Sequence, residues 1–550
     1  MRRWGVHVVG YLALLLVALV VVGRTDSWNF DDGAYAIQAK VIDETGGWAY
    51  PYAHEDLDPT FRFAPVDHAT TTTEGTFPYV KQPAWVEAIV GARALVGGSW
   101  GRFLPSILGA VAAALAAGLL AERIERGSGP VAFWVVGLGP VLVHGQAMWA
   151  HTAAAALGGA AALALVALHQ GRAGPQHVAA LALATAGLVL IRAEGLLFAA
   201  ALAVVLVVGA AARHGRTRAA VVEAATWAGA AILGAILASA SSSWWSGRIA
   251  PGPLLDDQDV ALREVGYAEG RVRGAARTLL DGVGASTAGT ALAVLVLVLA
   301  VLAGLAVRRG RTGDGAVLLA LAAAAVVLRA LVAPSDLGGT VVAAPVLVAG
   351  LAAWSWRAAP LAERSLVLLG GVHLLAVLAT QYPEGGSRDW GGRFLFPVLV
   401  PATVVAVVAL RRALVPWAER LGPSAERRPV TVAVVLLVAF AAVPTAAGLR
   451  SAADLRASNA AFRSVSEAVG SEAPTVIRTP RYLSRTSWNA LPGADWLAAD
   501  GDDAIADALE LLRPGRTAPV AVVGPGADAI EADGWEREVL SPVAVVLTPT

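Results

Sequence analysis

Cysteine is absent from the 550 residues. That excludes structural disulfides, thiolate-held zinc, iron–sulfur clusters and thiol nucleophiles. Lysine is almost missing as well: Lys40 and Lys81 are the only two, and every other basic side chain is arginine. Charged residues amount to 15%, well below the quarter usual in a soluble domain. Lys+Arg and Asp+Glu balance at 42 each, so no basic excess points to nucleic acid and no acidic tail is present. No Gly-rich phosphate loop ending in Lys-Ser/Thr occurs, which argues against an ATP-driven pump. What fills the chain is Ala, Val, Leu and Gly. Hydrophobic residues reach 56% and the mean hydropathy is +0.61. Neither an ordinary soluble enzyme nor a disordered chain has this composition, and its Arg, Ala and Gly richness resembles that of GC-rich bacterial genomes.

The apolar residues fall into runs. A helix needs about 20 such residues to cross roughly 30 Å of hydrocarbon. Thirteen runs qualify as candidates, near 5–23, 103–121, 131–148, 152–168, 178–191, 195–211, 222–243, 286–307, 315–333, 340–356, 366–380, 393–410 and 430–448. The first follows Arg2 and Arg3 but leads into Arg24-Thr25-Asp26-Ser27-Trp28, a poor cleavage site, and reads as retained. Alternate loops are short and carry arginine, for example Arg123/Arg126, Arg308/Arg309/Arg311 and Arg411/Arg412. Arginine resists translocation, so these loops belong in the cytoplasm with the N-terminus. The opposite loops include three long segments, 24–102, 244–285 and 449–550. The expected architecture is a polytopic α-helical membrane protein with about 13 transmembrane helices, N-terminus in and C-terminus out. A membrane domain covers 1–448 and a small extracytoplasmic α/β domain 449–550. Helices are predicted at 452–469 and 502–512, and strands at 475–478, 520–523 and 543–547. Gly524-Pro525-Gly526 is a turn after a strand and not a dinucleotide fingerprint.

The chemistry concentrates in the predicted outer segments. The first opens Trp28-Asn29-Phe30-Asp31-Asp32-Gly33-Ala34-Tyr35. Two adjacent carboxylates at a membrane boundary are costly unless solvated, paired or used. One could act as general base on a sugar or lipid hydroxyl, its pKa raised by partial burial. The same pair could simply cap a helix over 34–42. Lys81-Gln82-Pro83 precedes an amphipathic or re-entrant stretch at 84–95, and Arg102-Phe103-Leu104-Pro105-Ser106 leads into the second run. Both cations could snorkel to headgroups or hold a phosphate. Arg388-Asp389-Trp390 precedes Gly391-Gly392-Arg393-Phe394-Leu395-Phe396-Pro397, and Arg388 and Arg393 could cluster. Arg192 and Glu194 read as a structural ion pair before a catalytic one. His151 could orient a substrate or be an ordinary interfacial side chain. Trp244 and Trp245 suit an interfacial belt or a sugar face, and Asp336 lies in a short outer turn. His54, Glu55, Asp56, Asp58, Asp67, His68 and Glu74 match no compact metal motif and read as a solvated loop.

Taken together, these elements resemble the GT-C membrane glycosyltransferases, above all protein O-mannosyltransferases and lipid A aminoarabinose transferases. Asp31-Asp32-x-x-Tyr35 is similar to that group's Asp-Glu-x-x-Tyr region. Lys81-Gln82-Pro83 is similar to its Lys/His-Pro-Pro element, with Gln for one Pro. Arg102-Phe-Leu-Pro-Ser106 resembles its Arg-x-Pro-Ser, with one extra residue, and Arg393-Phe-Leu-Phe-Pro397 its Arg-Tyr/Phe-x-x-Pro. The resemblance implies Asp31 as catalytic base or acceptor-orienting carboxylate, Asp32 as its support, and Lys81 and Arg393 near a donor phosphate. Tyr35, Arg102, His151, Arg192, Glu194 and Arg388 are the further substrate-binding candidates. The implied donor is a sugar on a polyprenyl phosphate, and the acceptor an extracytoplasmic glycan, lipid or protein. No cofactor is required. Asp32 in place of Glu and the incomplete Lys-Pro-Pro element leave metal use and donor identity open. A transporter or lipid flippase and a non-catalytic envelope scaffold are the competing classes. Charges gathered at outer ends, not at mid-bilayer, favour the transferase.

Overall fold

The computed structural model describes residues 2–23, 30–49, 52–65, 70–72, 75–77, 82–249, 265–281, 285–334, 336–380, 390–420, 428–470, 473–480, 483–484, 495–514 and 516–550. Among these, ten helices are long and apolar enough to cross a membrane. They account for ten of the thirteen predicted runs. The other three fold differently, for local reasons. The run at 131–148 becomes a helix from Gly129 to His144 that leaves helical geometry at Gly139, ahead of Pro140. Pro175–Ile191 is regular but has only 17 residues. The run at 340–356 is split into Thr340–Ala343 and Pro345–Ala353, because proline clashes with a preceding helical turn and has no N–H to give it. The two interrupted segments meet around an apolar space of about 20 Å³ lined by Pro140, Ala344, Pro345 and Ala441, room for little more than one water.

Several arginine-bearing loops share one end of the bundle. Along Leu104–Ile124, Ser106 Oγ donates to Trp149 O at 2.9 Å near one end. At the other end Gln170 Nε2 donates to Arg123 O at 2.9 Å. There the short arginine-bearing loops gather: Arg411 and Arg412 both bond Glu125, and Arg412 also grips Glu363 at 2.7 Å. Described parts of the long segments meet: Phe63 packs into the core of the C-terminal sheet domain, and Gly47–Ala49 face Trp244–Ile249.

One helix, Arg428–Gly470, unites the last predicted span with the predicted helix 452–469. Its 43 residues extend about 64 Å, twice the hydrocarbon thickness. The expected boundary at 448/449 therefore falls inside a continuous helix. Two strands, β1 (Thr70–Thr72) and β2 (Gly75–Phe77), form an antiparallel hairpin in the first long segment. The C-terminal sheet contains β3 (Thr475–Arg478), β4 (Asp495–Ala498), β5 (Val520–Val523), β6 (Trp535–Ser541) and β7 (Ala544–Pro549), in the order β4-β3-β5-β7-β6. The three strands β4, β3 and β5 are parallel, and β7 and β6 close the sheet antiparallel. Its core includes Ile477, Leu497, Val522 and Val545, and also Phe63 from the first long segment.

Candidate active site

The helix Phe30–Thr45 carries Asp31 and Asp32 in its first turn, where carboxylates suit the positive end of the dipole. Consecutive residues on a helix point about 100° apart, so the two acids serve different neighbours. Asp31 Oδ2 accepts a hydrogen bond from Arg393 Nη1 at 2.9 Å, and both side chains keep some solvent contact. Asp32 points inward and is fully buried. Its Oδ1 accepts the backbone N–H of Met148. Burial pushes the Asp32 carboxyl up from 3.8 to about 6, against the pull of Arg456 and Arg102. The reading of a solvated capping pair therefore fails for Asp32: it is a buried support for the segment at 145–151.

That segment is the centre of the site. Trp85 Nε1 donates to Met148 O at 2.7 Å. Ser106 Oγ donates to Trp149 O, and Thr152 Oγ1 returns a bond to Ser106 O at 2.7 Å. Arg456, on the long C-terminal helix, donates to Gln146 O and Gly23 O. So held, the Trp149 ring stands beside two guanidinium groups, with Arg393 Cζ 5.2 Å and Arg192 Cζ 5.6 Å from its centroid. Both are cation–π distances.

Arg393 is set by the turn before it. Gly391 and Gly392 have φ of +92° and +70°, a region that side-chain-bearing residues avoid. A Cβ on Gly392 would stand 2.3 Å from Thr340 Oγ1 and 2.6 Å from Thr278 O. Thr340 Oγ1 donates to Gly391 O at 3.1 Å, His144 Nε2 to Trp390 O at 2.7 Å and His373 Nε2 to Phe394 O at 3.0 Å. Gly158 lets the carbonyl of Pro397 approach to 1.8 Å of where a Cβ would be, which seats Phe396–Arg420 on His151–His169 and so brings Arg393 to Trp149.

The other predicted residues divide clearly. Tyr35 is buried, donates its hydroxyl to Gln82 Oε1 and lies within electrostatic reach of Arg192. The Gln that replaces proline in Lys81-Gln82-Pro83 thus ties that element to the acidic helix. Arg192 and Glu194 form a buried bidentate pair, at 3.0 Å through Nε and 2.5 Å through Nη2. The pairing expected of them is present, and Arg192 faces Trp149 as well. Arg102 is buried beside Asp32 and over the Phe103 ring, so it does not snorkel. His151 is fully buried against Trp149, His144 and Phe396, and neither ring nitrogen has a hydrogen-bond partner among the described residues. Lys81 and Arg388 lie outside the described residues, as do Asp67, His68, Glu74 and Asp389.

Asp336 gains a role, and the solvated-loop reading changes. Asp336 Oδ2 accepts from Ser286 N and Oγ at 2.9 and 2.8 Å, so this acid fixes the start of Thr287–Arg308. His54 and Asp58 are buried rather than solvated. Asp58 accepts from Tyr52, Thr60 and the N–H groups of Arg62 and Phe63, while His54 pairs with Asp495 of β4. Among the described residues no three His, Asp or Glu side chains are grouped to hold a metal ion. Sequence reasoning missed Arg456, Trp85 and the part played by Trp149. Arg456 stands eight residues past the last predicted span, within helical reach of the membrane surface, and that offset was its one signal.

Among the described residues, four guanidinium groups stand around Trp149 and the acidic pair, those of Arg102, Arg192, Arg393 and Arg456, against three carboxylates, Asp31, Asp32 and Glu194. The surplus is positive, the sign needed by a phosphate.

No family model matches the chain, and no curated protein does. Solved structures are similar in shape. The apo crystal structure of ArnT from Cupriavidus metallidurans covers 100% of this chain and 98% of its own at 12% identity, with a TM-score of 0.50. The structure of the same protein bound to undecaprenyl phosphate covers 98% and 97% at 14% identity, TM-score 0.47. An oligosaccharyltransferase from Archaeoglobus fulgidus, in complex with zinc and sulfate, covers 87% of this chain and 61% of its own at 13% identity, TM-score 0.40. With a helical membrane bundle, an acidic helix after the first span and a small terminal sheet domain, the chain has the GT-C type of fold.

Proposed function

We propose that the protein is a membrane glycosyltransferase that moves a sugar from a polyprenyl-phosphate carrier to an extracytoplasmic acceptor. The observation that carries this reading is the Asp31–Arg393 contact, formed across 362 residues of sequence beside Arg192 and Trp149. Arginine-bearing loops at the other end of the bundle support a cytoplasmic placing of that end and an outward-facing site. The carrier's lipid tail stays in the bilayer while its phosphate reaches Arg393 and Arg192.

A phosphate entering that position competes with Asp31 for the Arg393 guanidinium. Arg393 then neutralises charge growing on the leaving phosphate, and Asp31, released, accepts the proton of the acceptor hydroxyl. The hydroxyl oxygen bonds to the anomeric carbon as the bond from that carbon to the phosphate oxygen breaks. Direct displacement inverts the anomeric centre and leaves polyprenyl phosphate. Asp32 holds Trp149 in place from behind, as a positioning residue. The transporter reading draws no support from the two interrupted helices, because the space between them is apolar and water-sized.

The test is turnover by the full chain in lipid nanodiscs, supplied with a panel of radiolabelled polyprenyl-phosphate sugars. Transfer of labelled sugar to an added envelope-glycan extract, with formation of polyprenyl phosphate, is expected for at least one donor; Asp31→Asn should slow it by about 10² to 10⁴ and Arg393→Gln should abolish it. Undiminished turnover in both variants would refute the assignment. Mass spectrometry of envelope glycans with and without the protein then identifies sugar and acceptor.

A further inference from the structure

Away from Trp149, a second aromatic feature is left over. After the acidic helix the chain passes through Gly47-Trp48-Ala49, which faces Trp244, Trp245 and Arg248 across a cleft of about 310 Å³. The helix Arg218–Ile249 has 32 residues and spans about 48 Å, against about 30 Å of hydrocarbon. Its last turns, from Trp244 to Ile249, carry both tryptophans and Arg248 past the apolar run. Trp244 is 65% exposed. Arg248 lies 5.1 Å over its ring, and among the described residues no carboxylate pairs with it. In the helix before Gly47, Asp43 is matched by Arg93 and Glu44 by Lys40 at 3.5 Å.

Flat indole faces beside an exposed guanidinium suit a sugar ring that carries an anionic group. The ring's C–H face packs on an indole, and the anion takes the planar fork of arginine. An interfacial belt of tryptophan needs neither a concavity nor the convergence of two distant segments. From Asp31 to Thr45 the helix rises about 20 Å, so the cleft is too far for one sugar to touch both places.

We propose that this cleft binds a negatively charged sugar unit of the acceptor, several units from the hydroxyl that is glycosylated, so that the acceptor is an extended acidic glycan. This inference rests on the transfer reading for the word acceptor, but its test does not. Full-length protein in nanodiscs, with no donor present, is titrated calorimetrically with tetragalacturonate and with neutral maltotetraose. Tetragalacturonate should bind and maltotetraose bind more weakly. Arg248→Gln should lower tetragalacturonate affinity about tenfold, as loss of a charge-assisted hydrogen bond does, and Trp244→Ala should weaken both sugars. Both side chains are exposed, so neither change threatens folding. Absence of tetragalacturonate binding, equal binding in the variants, or quenching of these tryptophans by brominated lipid that tetragalacturonate leaves unchanged would each overturn the proposal. The last outcome would make the cleft a lipid anchor. A negative titration beside active transfer removes only the subsite, whereas binding without any donor turnover removes the enzyme and leaves a glycan site.

Discussion

At the scale of residues, two neighbouring acids with unlike surroundings define the site. Asp31→Asn keeps the shape and removes the proposed base, so the transfer rate should fall by about 10² to 10⁴ at saturating donor, read as initial velocity. Arg393→Lys keeps the charge but loses the fork. It should raise the donor KM and lower kcat, while Arg393→Gln abolishes turnover. Asp32 makes a different prediction. Its folded carboxyl titrates near 6 and the unfolded one near 3.8. Between those values the folded chain keeps a proton that the unfolded chain releases, so this group costs stability as pH rises from about 4 to 6. In Asp32→Asn that contribution disappears, and the thermal midpoint should fall less over this interval than in the wild type. Parallel curves for the two proteins would contradict the burial of Asp32. The Asp-Asp pair was legible in the sequence, and the resemblance implied Asp31 as base and Asp32 as support, but the burial of Asp32 was not legible. Residue order cannot say which of two helical neighbours faces inward.

At the scale of elements, proline and glycine mark where hydropathy misleads. The runs at 131–148 and 340–356 are apolar enough to suggest spans, yet Pro140 and Pro345 interrupt them. Gly391-Gly392 works in the opposite sense, since two positive φ angles turn the chain so that Arg393 meets Asp31. Gly392→Ala meets both a strained backbone and two oxygens inside 3 Å. It should cost about 1–3 kcal/mol in stability and, by displacing Arg393, lower donor turnover more than it lowers the thermal midpoint. Unaltered kinetics would remove the turn from the positioning role. Strands β3, β5 and β7 were readable as short apolar runs, with β7 extending two residues beyond its predicted end. Strand β4 escaped because Asp495 and Trp496 break the apolar pattern, and β6 because Glu536, Arg537 and Glu538 suit an exposed edge.

At the scale of the molecule, the sheet domain is joined to the bundle from two directions. Phe63 enters its core, Ala498 N donates to Phe63 O at 2.9 Å, and Arg62 meets Asp507 at 2.5 Å. Phe63→Ala should destabilise the sheet domain by about 3–5 kcal/mol, the usual cost of emptying a buried phenylalanine site. Limited proteolysis of the folded protein, followed by mass spectrometry, should show earlier cleavage in the residues around β4; an unchanged digestion pattern would mean that Phe63 is no anchor. None of this joint could be read from the sequence, because its partners stand more than 400 residues apart. The second connection is the long helix Arg428–Gly470, which carries Arg456 back beneath Asp32 and Gln146. A shortened protein ending after the last membrane crossing would consequently forfeit a cation from under its own reaction chamber, so bundle and appendage are exchangeable between proteins only as a single piece.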